Sequence, residues 1–223
     1  MSELLSLGVV GVVGGLGVFA VLLLPVCWLQ RRRFGRVRPQ RLLGIAVICV
    51  YTMTLAGLTI APAYDVALTC RSRTGGALRL DPFHTVSELL ALRRGGASWA
   101  GVATSFPMVQ VVMNTALFVP LGMILRGVLR LDATAAVATG MLLSALIELT
   151  QYTGAFGIYP CGVRIADIED LLANTAGGLL GVLAAPLLTR WRVPLFVHDH
   201  APGADPWEHW RELWPGPDER GGR

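Results

Sequence analysis

Apolar positions along this chain do not alternate, and they do not gather on one helical stripe. They come in blocks: Leu4 to Leu29, Leu42 to about Tyr64, Phe106 to Leu125, Ala133 to about Thr153, and about Ile168 to Leu188. A helix crossing the hydrocarbon core of a bilayer needs about 20 predominantly apolar residues, because each residue rises about 1.5 Å across a core of about 30 Å. Each block meets that length. The pattern predicts an all-α, polytopic transmembrane helical bundle of about five helices. The first block lacks a basic start and a small-residue cleavage site, and it is too long for the apolar region of a signal peptide. It reads as a retained helix whose Gly11, Gly14, Gly15 and Gly17 form a packing face, with glycines simply tolerated in a lipid-facing helix as the alternative.

The segments between the blocks carry the polarity. Gln30 to Arg41 is read as a short basic loop. The connection from about 65 to 105 is too polar to span, and Ser87 to Arg94 within it reads as a short interfacial helix. A Gly- and Pro-containing turn, Gly154 to Arg164, joins the last two blocks. Three parts follow: 1–41, an N-terminal helix with a basic loop; 42–192, the membrane domain; and 193–223, a polar tail. In the tail, Trp207, Trp210 and Trp214 stand at helical spacing and suit an interfacial helix, with a disordered tail as the alternative. His198, Asp199 and His200 are read as ordinary polar residues of the tail and not as a metal box.

Composition agrees. The chain has 223 residues, 53% of them hydrophobic and only 15% charged, against about a quarter charged in soluble domains. So little polar surface would not cover a soluble core, and so much apolar sequence excludes disorder over most of the chain. The net charge of +4 comes from nineteen Arg and no Lys. These Arg cluster at Arg31 to Arg41, at Arg126 with Arg130, and at Arg190 with Arg192, in alternate connections. The excess of basic residues in cytoplasmic loops then places the N-terminus outside and the C-terminus in the cytoplasm. The clusters are topological and not a nucleic-acid surface. Cys27 and Cys49 fall within helices, whereas Cys70 and Cys161 fall in two connections on the outer side. An oxidising exterior makes Cys70–Cys161 the disulfide candidate, with two free thiols as the alternative. No Cys or His spacing suggests zinc.

Ionisable groups inside apolar helices cost about 2.5–3.5 kcal/mol each on insertion scales, so they need a reason. Ser144, Glu148 and Gln151 share one face of the fourth helix at i, i+4 and i+7. Asp167, Asp170 and Asn174 share one face at the start of the fifth, with Glu169 pointing elsewhere. Asn114 is read as the polar residue of the third helix, and Arg164 as the counter-ion just above the group. Helix directions bring all of these to the outer end of the bundle. One reading is a buried polar network that specifies packing. The other is a site open to the outer leaflet that uses carboxylates for proton transfer, a cation or a polar head group.

The third to fifth helices resemble the VanZ-like family. The resemblance rests on MNTALFVPLGMIL, SALIELTQ and RIADIEDLLANTAGGLLG, with LDPFHTV upstream departing from the family's segment at Leu80 and Asp81. It covers roughly residues 80 to 185. It implies an integral membrane protein of the cell envelope, and its namesake is associated with low-level resistance to teicoplanin, a lipid-bearing glycopeptide. The family's segments map onto Asn114, Phe118, Pro120 and Gly122; Ser144, Glu148 and Gln151; and Arg164, Asp167, Asp170, Asn174 and Gly177.

Three functions stay open on sequence. The first is a non-enzymatic protein that binds or shields a lipid-linked precursor or a lipidated antibiotic. The second is an enzyme acting on a lipid head group or envelope glycan, with Glu148, Asp167 and Asp170 as catalytic candidates or metal ligands; His84 in the 65–105 loop reads as solvated. The third is a small transporter. The expected partner is the bilayer, with no cofactor and no nucleic acid.

Overall fold

The computed structural model describes residues 2–60, 66–72, 76–162 and 164–191. The expected tail features, Trp207, Trp210, Trp214 and His198 to His200, lie outside the described residues, as does Arg192. Among the described residues five helices are long and apolar enough to cross a membrane: Gly8–Arg32, Pro39–Thr59, Phe106–Val128, Ala133–Tyr152 and Ile168–Arg190. The five expected spans are therefore present in an all-α bundle.

The first two spans form a hairpin, α1 (Ser2–Phe34) and α2 (Pro39–Ile60). Gly11 rests against Thr54, and Gly15 against Val50 and Cys49. Two glycines four residues apart let the backbones close up, and dispersion then replaces the missing hydrophobic drive. Of the expected packing face, Gly14 meets only the end of Met53, and Gly17 meets nothing. The basic loop is shorter than expected. Arg31 and Arg32 continue α1, because Arg is a good helix former, and Arg41 already belongs to α2. The Gln30 side chain closes the turn by accepting the Arg38 backbone N–H at 2.9 Å.

The 65–105 connection is largely helical. It holds α3 (Val66–Ser72), a two-residue strand β1 (Leu78–Arg79), α4 (His84–Arg94) and α5 (Trp99–Ala103). The expected helix at Ser87 starts three residues earlier. α6 (Phe106–Met123) runs into a π-helical turn, Ile124–Val128, where the Leu129 N–H reaches Ile124 O. α7 (Ala133–Tyr152) follows and starts on an Asp132 side-chain cap. Next comes one left-handed turn, α8 (Gly154–Gly157), in which Ala155 and Phe156 also hold positive φ, at 54° and 57°. Strand β2 (Ala166–Asp167) pairs in parallel with β1 and leads into α9 (Ile168–Arg190).

α6 and α9 are the closest neighbours in the bundle's centre. They run parallel, with Gly177 against Thr115 and Phe118, Gly181 against Val119 and Met123, and Gly122 against Gly178 and Val182. Phe118, Leu121, Leu125, Ala136 and Val182 form the buried core, with Tyr51 and Leu55 of α2 packed on it. The Tyr51 hydroxyl donates to Leu117 O at 2.8 Å, fixing α2 to α6.

The two connections at one end of the bundle are bound together. Cys70 and Cys161 form a disulfide, with Cα atoms 5.6 Å apart. Beside it the Gly76 N–H donates to Arg164 O, the Ala166 N–H donates to Ala77 O, and Gly162 packs on Gly76 without room for a Cβ. Cys27 and Cys49 are free.

Candidate functional site

The polar residues gather at the disulfide-bearing end, where α6 and α9 begin and α7 ends. Asp167 is their node. Its Oδ1 caps α9 by accepting the Glu169 N–H at 2.9 Å, and its Oδ2 faces Arg79 Nη1 at 3.3 Å. Its own backbone N–H donates to Glu148 Oε2 at 3.0 Å. A strand residue, a helix cap and an intramembrane carboxylate thus share one position. Asp170, one turn on, accepts both hydrogen bonds from Gln110 Nε2, at 3.0 and 3.1 Å. Asn114 adds a further contact to the same carboxylate.

Deeper in the bundle, Asn174 Nδ2 donates to Ser144 Oγ at 2.9 Å. Both side chains are sealed from solvent, at 4% and 0% exposure. This pair joins α7 to α9 and lines neither of the two openings at this end. Gln151 and Arg164 do a different job. Gln151 donates to Thr59 O, and Arg164 Nη2 donates to Leu58 O at 3.3 Å. The last carbonyls of a helix lack intrahelical partners, and these two side chains supply them at the end of α2. The expected ion pair of Arg164 is therefore not the one that forms: Arg79 takes Asp167, while Arg164 braces α2 and acts on Glu148 and Asp170 only through its charge. The reason is geometric, because β1 runs beside β2 and delivers Arg79 to the Asp167 side chain.

Two openings lie side by side here. A small polar cavity of about 130 Å³ is lined by Arg79, Thr85, Glu88, Gln110, Asp167 and Asp170, with Phe106, Pro107 and Val111 as its apolar edge. Next to it a shallow, mainly apolar groove of about 960 Å³ runs between α4 and the start of α6, past Ala91, Leu92 and Ala97. Glu88, Phe106 and Pro107 border both. α4 is held over this junction by Glu169, whose Oε2 accepts the Thr85 N–H at 2.9 Å. The expectation that Glu169 points away from the Asp167–Asp170 face holds, and its target is the first turn of α4. His84 is half-buried, not solvated, with Nε2 2.8 Å from Glu88 Oε1.

Of the sequence-derived set, Asp167 and Asp170 therefore line the cavity, and Asn114 and Glu148 support them from behind. Ser144, Gln151, Arg164 and Asn174 tie helices together. Arg79, Thr85, Glu88 and Gln110 are missing from that set. Gln110 has a signal, since it stands in an apolar helix one turn before Asn114. Arg79 has none, because its place depends on pairing with a strand 88 positions away. Among the described residues no three His, Cys, Asp or Glu side chains converge as metal ligands would.

The family model described as VanZ/LLP1 matches residues 45–189. The chain belongs to the VanZ/LLP1 family. The match takes in α2 from residue 45, the disulfide, the polar cavity and the three later spans, so the candidate site of this VanZ-like protein lies inside the family region. Comparison with curated proteins and with solved structures gives no match.

Proposed function

We propose that this VanZ-like membrane protein binds an amphiphile of the cell envelope, a lipid-linked precursor or a lipidated glycopeptide of the teicoplanin type, and shields it without chemical change. The observation that carries this reading is the junction of the polar cavity with the apolar groove at Glu88, Phe106 and Pro107. Ligand clefts of roughly 300–1,000 Å³ are mainly apolar with a few placed polar groups. A groove for a chain beside a cavity for a head group has that composition.

Two features support an extracytoplasmic position. A disulfide is kept in oxidising compartments, and Cys70–Cys161 lies beside the site. Arg126, Arg130 and Arg190 lie at the opposite ends of their helices, where cytoplasmic loops concentrate basic residues.

The test is teicoplanin susceptibility of a sensitive Gram-positive host expressing wild type, Asp170→Asn or Leu92→Trp, with vancomycin as the control without a lipid tail. Wild type raises the inhibitory concentration of teicoplanin alone. Both variants, at equal membrane abundance, lose most of that protection. Protection that survives both substitutions rejects the site. A second reading, an enzyme using Asp170 as general acid or base, draws on that carboxylate lining the cavity; a modified antibiotic or lipid recovered by mass spectrometry would select it.

A further inference from the structure

The charge of the polar cavity says which head group fits it. Its wall contains three carboxylates, Glu88, Asp167 and Asp170, and one guanidinium, Arg79. Arg79 is committed to Asp167 at 3.3 Å. Gln110 spends its amide donor on Asp170, and the Thr85 N–H is taken by Glu169. Glu88 pairs with His84 Nε2 at 2.8 Å, and the remaining capacity of the three carboxylates is for accepting hydrogen bonds on their spare lone pairs, since an ionised carboxylate accepts at about four positions. A phosphate placed here would meet three carboxylates against the single guanidinium of Arg79. A primary ammonium brings three donors and no acceptor, the complement of this wall. A quaternary ammonium brings no N–H at all, and the apolar edge here holds one aromatic ring, Phe106, and not the aromatic cage such a group prefers.

The groove beside the cavity adds the other half of the ligand. Ala91, Leu92 and Ala97 of the α4 region face Phe106 and Pro107 of α6 across an open, mainly apolar channel. Phe106 itself is 73% exposed at its mouth. From this complementarity of charge and shape we infer that the resident occupant is a membrane phospholipid whose head group carries a primary ammonium. One acyl chain lies in the α4–α6 groove, the ammonium enters the Glu88–Asp167–Asp170 cavity, and the phosphate stays outside at the bilayer surface. This inference rests on the amphiphile reading above and narrows it to a head-group class. An incoming lipidated molecule would have to displace that lipid.

The experiment uses the full-length protein, with its disulfide intact, in nanodiscs of equal parts phosphatidylethanolamine, phosphatidylglycerol and phosphatidylcholine. Native mass spectrometry then reads which lipid stays bound after release from the disc. Phosphatidylethanolamine should be retained about tenfold over each of the others, the ratio that ~1.4 kcal/mol of selective binding gives. Glu88→Gln and Asp170→Asn should each remove that preference. Arg130→Gln, at the far end of the bundle, should leave it intact. Glu88 sits on the half-exposed α4 and its substitution spares the bundle core, so a folding failure of Asp170→Asn does not leave the idea without a test. Equal or greater retention of phosphatidylglycerol overturns the ammonium assignment, as does a preference that both variants keep. Leu92→Trp, which fills the groove, separates the two levels. If it reduces retention of all three lipids while no head group is favoured, the amphiphile site stands and only the ammonium falls. If it changes nothing, the groove holds no lipid and both readings fall together.

Discussion

Asp167 links three elements through one side chain and one peptide N–H, and its substitutions separate those roles. Asp167→Ala removes the α9 cap and the partner of Arg79 together. Loss of an N-cap costs ~1 kcal/mol, and Arg79 adds less because it is 35% exposed and solvent screens such pairs. Asp167→Asn keeps a capping oxygen and loses only the ion pair. The apparent Tm in detergent should therefore fall in the order wild type, Asn, Ala, and equal losses for the two variants would contradict the capping role. The sequence makes Asp167, Asp170 and Glu148 legible because a carboxylate in an apolar block is costly and the helical period sorts such residues by face. It does not make Arg79 legible. No local pattern marks a two-residue strand, and its partner comes from a distant connection. Arg164 shows the converse: proximity in sequence to the acids suggested a counter-ion, but the Leu58 carbonyl at the end of α2 holds its side chain.

At the scale of elements, glycines decide how closely helices pack, and they are not equivalent. A Cβ on Gly181 would collide with the backbone of Val119 and Met123. A Cβ on Gly140, although that residue is buried, meets nothing within 4 Å. Gly140→Ala should accordingly be neutral or stabilising, by up to about 0.5–1 kcal/mol from the lower backbone entropy of Ala. Gly181→Ala should force α6 from α9 and lower both the folded yield and the apparent Tm. Thermal denaturation of the two purified variants checks the pair, and a stable Gly181→Ala protein would contradict the close α6–α9 contact. The five spans were legible as blocks of apolar residues, and helix direction brought the acids to one end. In the sequence, Gly177, Gly178 and Gly181 mark a face that allows close backbone approach, but not its partner. Nothing in the apolar period of α6 or α7 says which of them lies against Gly177 and Gly181, because lipid and protein faces are equally apolar.

For the whole molecule, the Cys70–Cys161 crosslink holds together the connections that carry β1 and β2. It spans 91 positions, and a closure of that length is worth roughly 4–5 kcal/mol when unfolded-chain entropy dominates. Reduction should lower the apparent Tm and weaken lipid retention, because Arg79 and α4 depend on the paired strands for their positions. A Cys70→Ser, Cys161→Ser protein should match the reduced wild type and ignore added reductant. If reductant leaves wild-type stability unchanged, the bond is not a structural clasp. The disulfide was legible as a pair of cysteines on one side of an oriented chain; the strand pairing was not, since it arises only when the two connections meet, and the groove was not, since it forms only where α4 lies beside the start of α6.

We propose that the junction between α4 and α6 holds the chain of an amphiphile. A phospholipid with a photoreactive group on its acyl chain, incorporated into the full-length protein in nanodiscs and mapped by peptide mass spectrometry after illumination, tests it most directly. Adducts should concentrate between Glu88 and Pro107 and be lost in Leu92→Trp, with adducts on the other helices unchanged. Adducts spread evenly over the exposed faces of α1, α2 and α7, with none favoured at the groove and no response to Leu92→Trp, would contradict it.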